Sequence, residues 1–201
     1  MGRSVRSSVV ILTFLFGFLS AQPSFTAADI VSNLDGASAV SAADMDGDGD
    51  IDIIAADEGG DAIHWLENDG NVPPSFTIRP AYTTSNGPWA VVPYDIDRDG
   101  DLDIISASHG DNKIRVNIND GNADPIFYNT VYDVVSGVDA RGLDLGDIDG
   151  DGDIDVVVAG GGSNYVKWYE NNGSQSFSAV NIDVGANNPR SVFLIDVDSD
   201  G

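Results

Sequence analysis

The chain has 201 residues, with 33 acidic and 9 basic side chains and a formal net charge of −24. Hydrophobic residues make up 42% of the chain, which is too many for a charge-driven disordered protein and predicts a packed core. The acidity argues against nucleic acid and anionic membranes as partners, because both would repel the chain; the lack of cysteine excludes disulfides and thiolate metal sites.

The first 21 residues predict a secretory signal peptide. Arg3 and Arg6 precede an apolar run from Val9 to Leu19, which the small residues Ser20 and Ala21 follow. The run is about half as long as the ~20 residues that a membrane-spanning helix requires. We expect cleavage after Ala21, a secreted or cell-surface product and no membrane span in the mature chain. An uncleaved N-terminal anchor is the alternative.

From residue 44 onward, one unit of about 50 residues is repeated. A nine-residue acidic loop occupies residues 44–52 and recurs at 95–103 and 147–155, and a fourth copy begins at 196–201. The starts of these loops are separated by 51, 52 and 49 residues. Outside the loops, an asparagine lies 16 residues and a glycine 18 residues after the last aspartate of each complete loop. These pairs are Asn68 and Gly70, Asn119 and Gly121, and Asn171 and Gly173.

The sequence of each unit predicts four short β-strands. An apolar, partly β-branched run follows each acidic loop directly, and a second run ends at an Asn-Asp-Gly or Asn-Asn-Gly hairpin turn. A third strand is expected near Phe76, Phe127 and Phe177, and a fourth, at residues 89–92 and 191–194, leads into the next loop. Four strands in ~50 residues are the content of a propeller blade, and no stretch has the 3.6-residue period of a helix. The sequence therefore predicts an all-β propeller.

The acidic loops have the ligand pattern of a calcium site. Carboxylates at positions 1, 3 and 5 of a tight loop converge, glycine at position 6 permits a sharp turn, position 7 offers its carbonyl oxygen, and the carboxylate at position 9 completes the shell. Calcium takes hard oxygen ligands in flexible geometry, whereas magnesium requires a rigid octahedron, and zinc and copper prefer nitrogen or sulfur. We therefore expect about one Ca²⁺ in each complete loop. The alternative is a solvated acidic turn without an ion.

The predicted ligands are assigned by loop position. The first loop offers Asp44, Asp46, Asp48 and Asp52, with the carbonyl oxygen of Asp50; the second offers Asp95, Asp97, Asp99 and Asp103, with that of Asp101; the third offers Asp147, Asp149, Asp151 and Asp155, with that of Asp153. The incomplete fourth loop contributes Asp196, Asp198 and Asp200. At position 8, Ile51, Leu102 and Ile154 are expected to anchor the loops in the core. An EF-hand is excluded because position 12 holds Ala55, Ser106 or Val158 instead of glutamate, and the flanks predict strands.

The D-x-D-x-D-G-x-x-D loop, followed by Trp-x-Glu-Asn at residues 65–68 and 168–171, resembles the FG-GAP/VCBS repeat of secreted and cell-surface proteins. The resemblance covers nearly all of the chain after residue 30. It implies a β-propeller, usually of seven blades as in the head of integrin α-subunits, with calcium in hairpin loops on one face and with the aspartates named above as its ligands. The second unit departs from the family pattern, since residues 116–119 read Val-Asn-Ile-Asn, and the Phe-Gly of the family name is not evident.

The repeat region is short for a complete propeller. Residues 22–201, at ~51 residues per blade, amount to ~3.5 blades, whereas closed propellers have four to eight. We therefore expect residues 22–201 to form an incomplete ring that is the N-terminal part of a longer propeller. A ring that is not closed leaves strand edges open.

The pattern of the repeats favours a non-catalytic binding or adhesion module that recognises a protein or a glycan at the cell surface. The alternative is the propeller domain of an extracellular hydrolase or lyase whose active site lies outside residues 22–201, and a third is a structural spacer in a larger surface protein. The chain has no G-x-S-x-G, H-E-x-x-H or P-loop motif, and no catalytic residue is assigned.

Two histidines and two tryptophans are further candidate site residues. His64 and His109 lie at different offsets in their repeats, so they form no repeated site. His64 shares its offset with Arg115 and Lys167, which predicts an exposed strand position, and His109 is expected in a turn. Because Trp65 and Trp168 recur at one offset, packing between blades is favoured over stacking on sugars.

Overall fold

The computed structural model describes residues 29–127, 139–174, 176–183 and 185–197. Two sets of predictions lie outside these ranges, namely the signal peptide at 1–21 with its cleavage after Ala21, and Asp198 and Asp200 of the incomplete fourth loop. Within the described ranges every regular element is a β-strand and there is no helix. The prediction of an all-β fold is confirmed.

The eleven strands of the described residues form three antiparallel sheets, one for each repeat. The first sheet contains β1 (Ala37–Ala43), β2 (Asp52–Asp57), β3 (Ala62–Asn68) and β4 (Phe76–Thr84). The second contains β5 (Pro88–Tyr94), β6 (Asp103–Ser108) and β7 (Lys113–Asn117). The third contains β8 (Ala140–Gly146), β9 (Asp155–Gly160), β10 (Tyr165–Asn171) and β11 (Phe177–Asp183). Consecutive strands are neighbours in every sheet, which is the arrangement of a propeller blade.

Two of the expected strands differ from the prediction. The third strand of the second repeat was expected near Phe127, which belongs to no strand, and the residues after it, 128–138, lie outside the described ranges. Residues 191–194 also form no strand, although the Leu194 N–H donates to the Asp144 carboxylate at 2.6 Å and so lies beside β8. In the three complete repeats the equivalent segment pairs with the strand after the acidic loop.

Neighbouring blades meet along their first strands. The Ser38 hydroxyl donates to the carbonyl oxygen of Pro88 at 2.7 Å, and the Ser41 hydroxyl donates to that of Val91 at 2.8 Å. These bonds place β1 beside β5, and β5 in turn contacts β8. The first strands therefore lie side by side, and the blades fan outward from them in sequence order.

Two hydrophobic clusters fill the spaces between the blades. The cluster between the first two blades contains Ile54, Ala56, Ile63 and Trp65 from the first and Val91, Ile104 and Phe127 from the second. The cluster between the second and third contains Ile105, Ala107, Ile114, Val116, Leu143, Val156, Val158 and Tyr169. Successive residues of β6 belong to different clusters because side chains alternate across a strand, so each face of the second sheet packs on a different neighbour. Trp65 meets Phe127 edge-on at 6.0 Å between their ring centroids, as predicted for an interblade tryptophan.

The three blades do not close into a ring. Val40, Val91 and Leu143 occupy the same position, four residues before the acidic loop of each repeat. Val91 and Leu143 are 4% and 6% exposed because the preceding blade covers them, whereas Val40 in the first blade is 68% exposed. The side of the first blade that faces away from the second is therefore open in the described residues.

This difference predicts unequal costs for the same substitution at equivalent positions. Val91→Ala removes two buried methyl groups between blades and is expected to lower the free energy of unfolding by about 1.5–3 kcal/mol. Val40→Ala removes the same groups from an exposed site and is expected to change it by less than about 0.5 kcal/mol. Urea denaturation of the two variants measures both values, and equal losses would contradict the interblade packing described above.

Candidate metal centre

The three complete acidic loops occupy the same place in the fold. Each joins the first strand of a sheet to the second: β1 to β2, β5 to β6 and β8 to β9. Because the blades lie side by side in the same orientation, the loops lie on one face of the molecule. A side-chain contact between neighbouring loops supports this placement, since the Arg98 guanidinium of the second loop lies 4.0 Å from the Asp153 carboxylate of the third.

Three carboxylates converge in each loop. In every group, each residue offers an oxygen that lies within 4.8 Å of the oxygens offered by the other two. The groups are Asp44, Asp46 and Asp48; Asp95, Asp97 and Asp99; and Asp147, Asp149 and Asp155. Positions 1, 3 and 5 thus meet in the first two loops, and positions 1, 3 and 9 meet in the third. Of the other predicted side-chain ligands, Asp52, Asp103 and Asp151 are not in these groups, and Asp196 is the one predicted ligand of the fourth loop that lies within the described residues.

Backbone hydrogen bonds hold the carboxylates in place. The two oxygens of Asp44 accept from the N–H groups of Gly47 and Gly49 at 2.8 and 3.0 Å. Asp46 and Asp48 each accept from the N–H two residues further on, at 3.2 and 2.9 Å. The third loop repeats these four bonds with closely similar lengths. Such turns are typical of aspartate, whose short side chain reaches the backbone nearby, so the loop itself fixes the spacing of its carboxylates.

The carboxylate at position 9 is buried and connects the loop to the hairpin that follows. In the first repeat, one oxygen of Asp52 accepts from the N–H of Asn68 at 2.8 Å, and the other accepts from the N–H of Met45 at 3.1 Å and the indole N–H of Trp65 at 3.0 Å. The equivalent Asp103 and Asp155 accept from the same two backbone positions at 2.8 and 3.0 Å. All three aspartates are at most 1% exposed. Position 9, proposed from the sequence as a ligand, therefore also has a structural role. Its carboxylate links the acidic loop to the hairpin that follows, and we call this link the bracket of each repeat.

The recurrent asparagine and glycine complete this bracket. The Asn68 side chain donates to the carbonyl oxygen of Ile51 at 3.0 Å and accepts from the N–H of Gly70 at 3.2 Å, and the other two repeats keep both bonds. Gly70 has a φ of 64°, and a Cβ there would collide with the Asp50 carboxylate. The side chain at position 7 therefore lies against the hairpin glycine. This explains why the asparagine and the glycine recur at fixed offsets from the acidic loop.

The hydrophobic anchor is not at the same loop position in every repeat. At position 8, Leu102 packs partly buried against the first interblade cluster and Ile154 is 8% exposed, as expected, but Ile51 is 55% exposed, which corrects the expectation for the first loop. The residue at position 2 is buried in the first two loops, where Met45 and Ile96 are 2% and 4% exposed and belong to the interblade clusters. The position-2 N–H is bonded to the position-9 carboxylate in all three loops, but Ile148 of the third loop is 38% exposed, so the burial of Met45 and Ile96 comes from their packing between blades. An apolar residue recurs at position 2 of every loop, and this recurrence is the feature of the sequence that could have predicted its burial in the first two loops.

Burial and mutual repulsion in the acidic loops disfavour the ionised form of the loop carboxyl groups. Burial raises the pKa of Asp46, Asp97 and Asp149, the position-3 residues, and the negative charge at position 5 raises it further. Burial also raises the pKa of Asp103 to about 7, against the opposing effect of the N–H groups that it accepts from. Clustered carboxylates at such sites are stabilised by a neighbouring positive charge.

The second loop differs from the other two at position 4. Arg98 replaces the glycine found there in the first and third loops and has a φ of 61°, in the left-handed region that Gly47 and Gly150 also occupy. The Asp95 oxygen equivalent to the one bonded by Gly47 in the first loop is buried and has no hydrogen-bond partner. The second loop therefore holds a buried carboxylate oxygen that its own backbone leaves free.

The histidines contact carboxylates at the ends of the strands opposite the acidic loops. His64 lies 3.3 Å from the Asp57 carboxylate, and Arg115, at the same repeat offset, is buried and pairs with Asp111. This corrects the expectation of an exposed polar position. His109 lies in the turn after β6, as predicted, and its Nε2 is 3.0 Å from a Glu58 carboxylate oxygen of the first blade.

The bracket role of position 9 gives a prediction that is independent of any metal. Asp52→Ala leaves three buried N–H donors without an acceptor and is expected to lower the free energy of unfolding by about 3 kcal/mol or more. Asp48→Ala alters an exposed residue that accepts one local N–H bond, and should change it by less than about 1 kcal/mol. Both values are measured by urea denaturation in the presence of a chelator. Equal effects would show that position 9 has no structural role beyond that of position 5.

Comparison with known proteins agrees with the repeat boundaries. The sequence profile of the FG-GAP-like repeat matches three overlapping stretches, residues 44–106, 95–158 and 147–201, each of which starts at position 1 of an acidic loop. No curated protein sequence matches the chain. Among the described residues, no helix has the length and hydrophobicity that crossing a membrane requires.

Proposed function

Because the chain belongs to the family of FG-GAP-like repeat proteins, we propose that it is a calcium-binding, propeller-type binding module of a secreted or cell-surface protein. It recognises a protein or a carbohydrate and catalyses no reaction. The observation that carries this proposal is the convergence of three carboxylates in each of three successive loops on one face. The predicted signal peptide supports export to a compartment where calcium is abundant.

The loops fit calcium in donor type and in spacing. Every side chain of the three groups offers a carboxylate oxygen, the donor that calcium prefers. Two oxygens bound to one calcium ion at 2.3–2.6 Å are at most about 5.2 Å apart, so oxygens within 4.8 Å of one another fit a single coordination sphere. The free buried oxygen of Asp95 gives the second loop a further donor of the same kind.

In the first loop, Asp44, Asp46 and Asp48 would hold the ion, with the carbonyl oxygen of Asp50 and the remaining lone pair of Asp52 Oδ1 completing its shell. The second and third loops would use the equivalent residues. A bound divalent cation offsets the mutual repulsion of these carboxylates and cross-links the loop. The protein's own contribution is to fix the loop through the hydrogen bonds of positions 1, 3, 5 and 9, so that little reorganisation accompanies binding.

The architecture of the repeats supports the proposed binding role. Blades that stand side by side present a broad surface of loops and strand ends rather than one enclosed site. Calcium would keep the loops of one face in a fixed arrangement, and a ligand that spans several blades would contact this face.

Calcium binding predicts a metal-specific rise in thermal stability. We expect residues 22–201 to melt at a higher temperature in calcium than in magnesium or chelator, because an ion at 100 times its Kd adds about 2.7 kcal/mol per site. The matched control changes one ligand per loop, Asp46→Asn, Asp97→Asn and Asp149→Asn together, and should fold in chelator without the calcium response. A folded wild-type protein with no calcium response, measured by circular dichroism, would refute the metal sites.

The recognition role predicts calcium-dependent binding to immobilised ligands. The protein is applied to arrays of extracellular proteins and of glycans in a buffer that contains calcium. The triple variant, which lacks one ligand in each loop, is the control that shows whether binding depends on the calcium sites. Saturable binding that the variant or a chelator weakens at least tenfold is the expected result. If the protein instead cleaves the arrayed glycans, by hydrolysis or by elimination, the non-catalytic assignment is wrong and the enzyme alternative holds.

A further inference from the structure

One face of the second sheet carries polar residues where the other two repeats have apolar ones. Three residues after the last loop aspartate, the repeats have Ala55, Ser106 and Val158, and fourteen residues after it they have Leu66, Asn117 and Tyr169. All six residues are at most 1% exposed. The second repeat therefore buries a serine and an asparagine at positions that its neighbours fill with hydrocarbon or an aromatic ring.

These residues form one polar patch between the first and second blades. In the β6–β7 register, Ser106 lies opposite Arg115, and Ile104 lies opposite Asn117. Residues opposite each other or two apart on one strand share a face, with Cβ atoms about 5 Å apart when directly opposite and about 7 Å on the diagonal. Ile104 belongs to the hydrophobic cluster shared with the first blade, so the patch of Ser106, Arg115 and Asn117 faces that blade.

Each residue of the patch has a buried polar atom without a partner. Ser106 Oγ, Asn117 Oδ1 and Arg115 Nε are inaccessible to solvent and have no hydrogen-bond partner in the protein. Their other polar groups are used: Asn117 Nδ2 donates to the carbonyl oxygen of Ile104 at 3.1 Å, and the Arg115 terminal nitrogens donate to Ser108 and Asp111. Leaving one such atom unsatisfied costs about 1–3 kcal/mol, so three side by side require a ligand.

The three open atoms define the chemistry of that ligand. They comprise one N–H donor, one carbonyl acceptor and one hydroxyl that does both, so the ligand must itself donate and accept. A cation is disfavoured by the Arg115 guanidinium, and an anion is disfavoured because Asp111 already compensates that charge. Water has two donors and two acceptors and typically makes about three hydrogen bonds at a buried site.

We propose that Ser106, Arg115 and Asn117 form a buried water site between the first and second blades. The water accepts a hydrogen bond from Arg115 Nε and donates one to Asn117 Oδ1. Its third hydrogen bond is to the Ser106 hydroxyl, which can either donate or accept. The equivalent positions of the third blade, Val158 and Tyr169, lie in the hydrophobic cluster with the second blade. The two interfaces of the second blade thus differ in kind, one bridged by water at this position and the other packed by side chains.

The test is the number of long-lived waters, measured by oxygen-17 magnetic relaxation dispersion on the whole folded protein. The variant Ser106→Ala with Asn117→Leu, which copies Ala55 and Leu66 of the first repeat, is expected to lose one such water. Ser41→Ala alters a serine whose hydroxyl already bonds to Val91 and should lose none. Near-ultraviolet circular dichroism shows whether each variant keeps its packing.

A second measurement is independent of whether the double variant folds. In the wild-type protein, a crystal structure at high resolution should show a water within about 2.6–3.2 Å of at least two of the three atoms. That result, or the loss of one water in the folded variant, establishes the site. An interface without density for a water there, or an unchanged water count in the folded variant, overturns the proposal.

Discussion

The buried aspartate at the end of each acidic loop is the contact on which the rest of the repeat depends. Its carboxylate receives N–H groups from position 2 of the loop and from the asparagine of the next hairpin, in all three repeats. A hydrogen bond to a buried charged group contributes about 1.5–3 kcal/mol, and leaving its donors unpaired costs more. One side chain therefore fixes the loop, the start of the second strand and the end of the third.

This constraint explains the composition of the chain. Of its 33 acidic residues three are glutamate (Glu58, Glu67 and Glu170), so the other 30 are aspartate. A carboxylate that must accept from an N–H two residues away, or from the backbone of its own loop, needs the short side chain of aspartate. The asparagines and glycines at fixed offsets follow from the same geometry, because Asn68 bonds the loop carbonyl and the glycine leaves room for the Asp50 carboxylate. The high aspartate content of the chain and the recurring asparagines and glycines thus both follow from the geometry of the acidic loop.

Patterns that recur at fixed spacing made much of the fold predictable from the sequence. The repeat length, the strand content of each blade and the interblade position of Trp65 follow from residues that recur. The burial of position 2 in the first loop was missed because Ile51 and Met45 are equally apolar, and only the packing of Met45 between the first two blades shows which one is buried. The burial of Arg115 was missed because its partner, Asp111, lies in a turn that differs between repeats.

The second blade shows how departures from a repeat act on its neighbours. In a linear array each unit contacts only the units beside it, so a substitution in one repeat changes at most two interfaces. Arg98 replaces a loop glycine and extends toward Asp153 of the third blade, while the Asn119 side chain donates to the carbonyl oxygen of Met45 in the first. The polar patch of Ser106, Arg115 and Asn117 faces the first blade as well. The blade that matches the repeat pattern least thus makes specific polar contacts with both of its described neighbours.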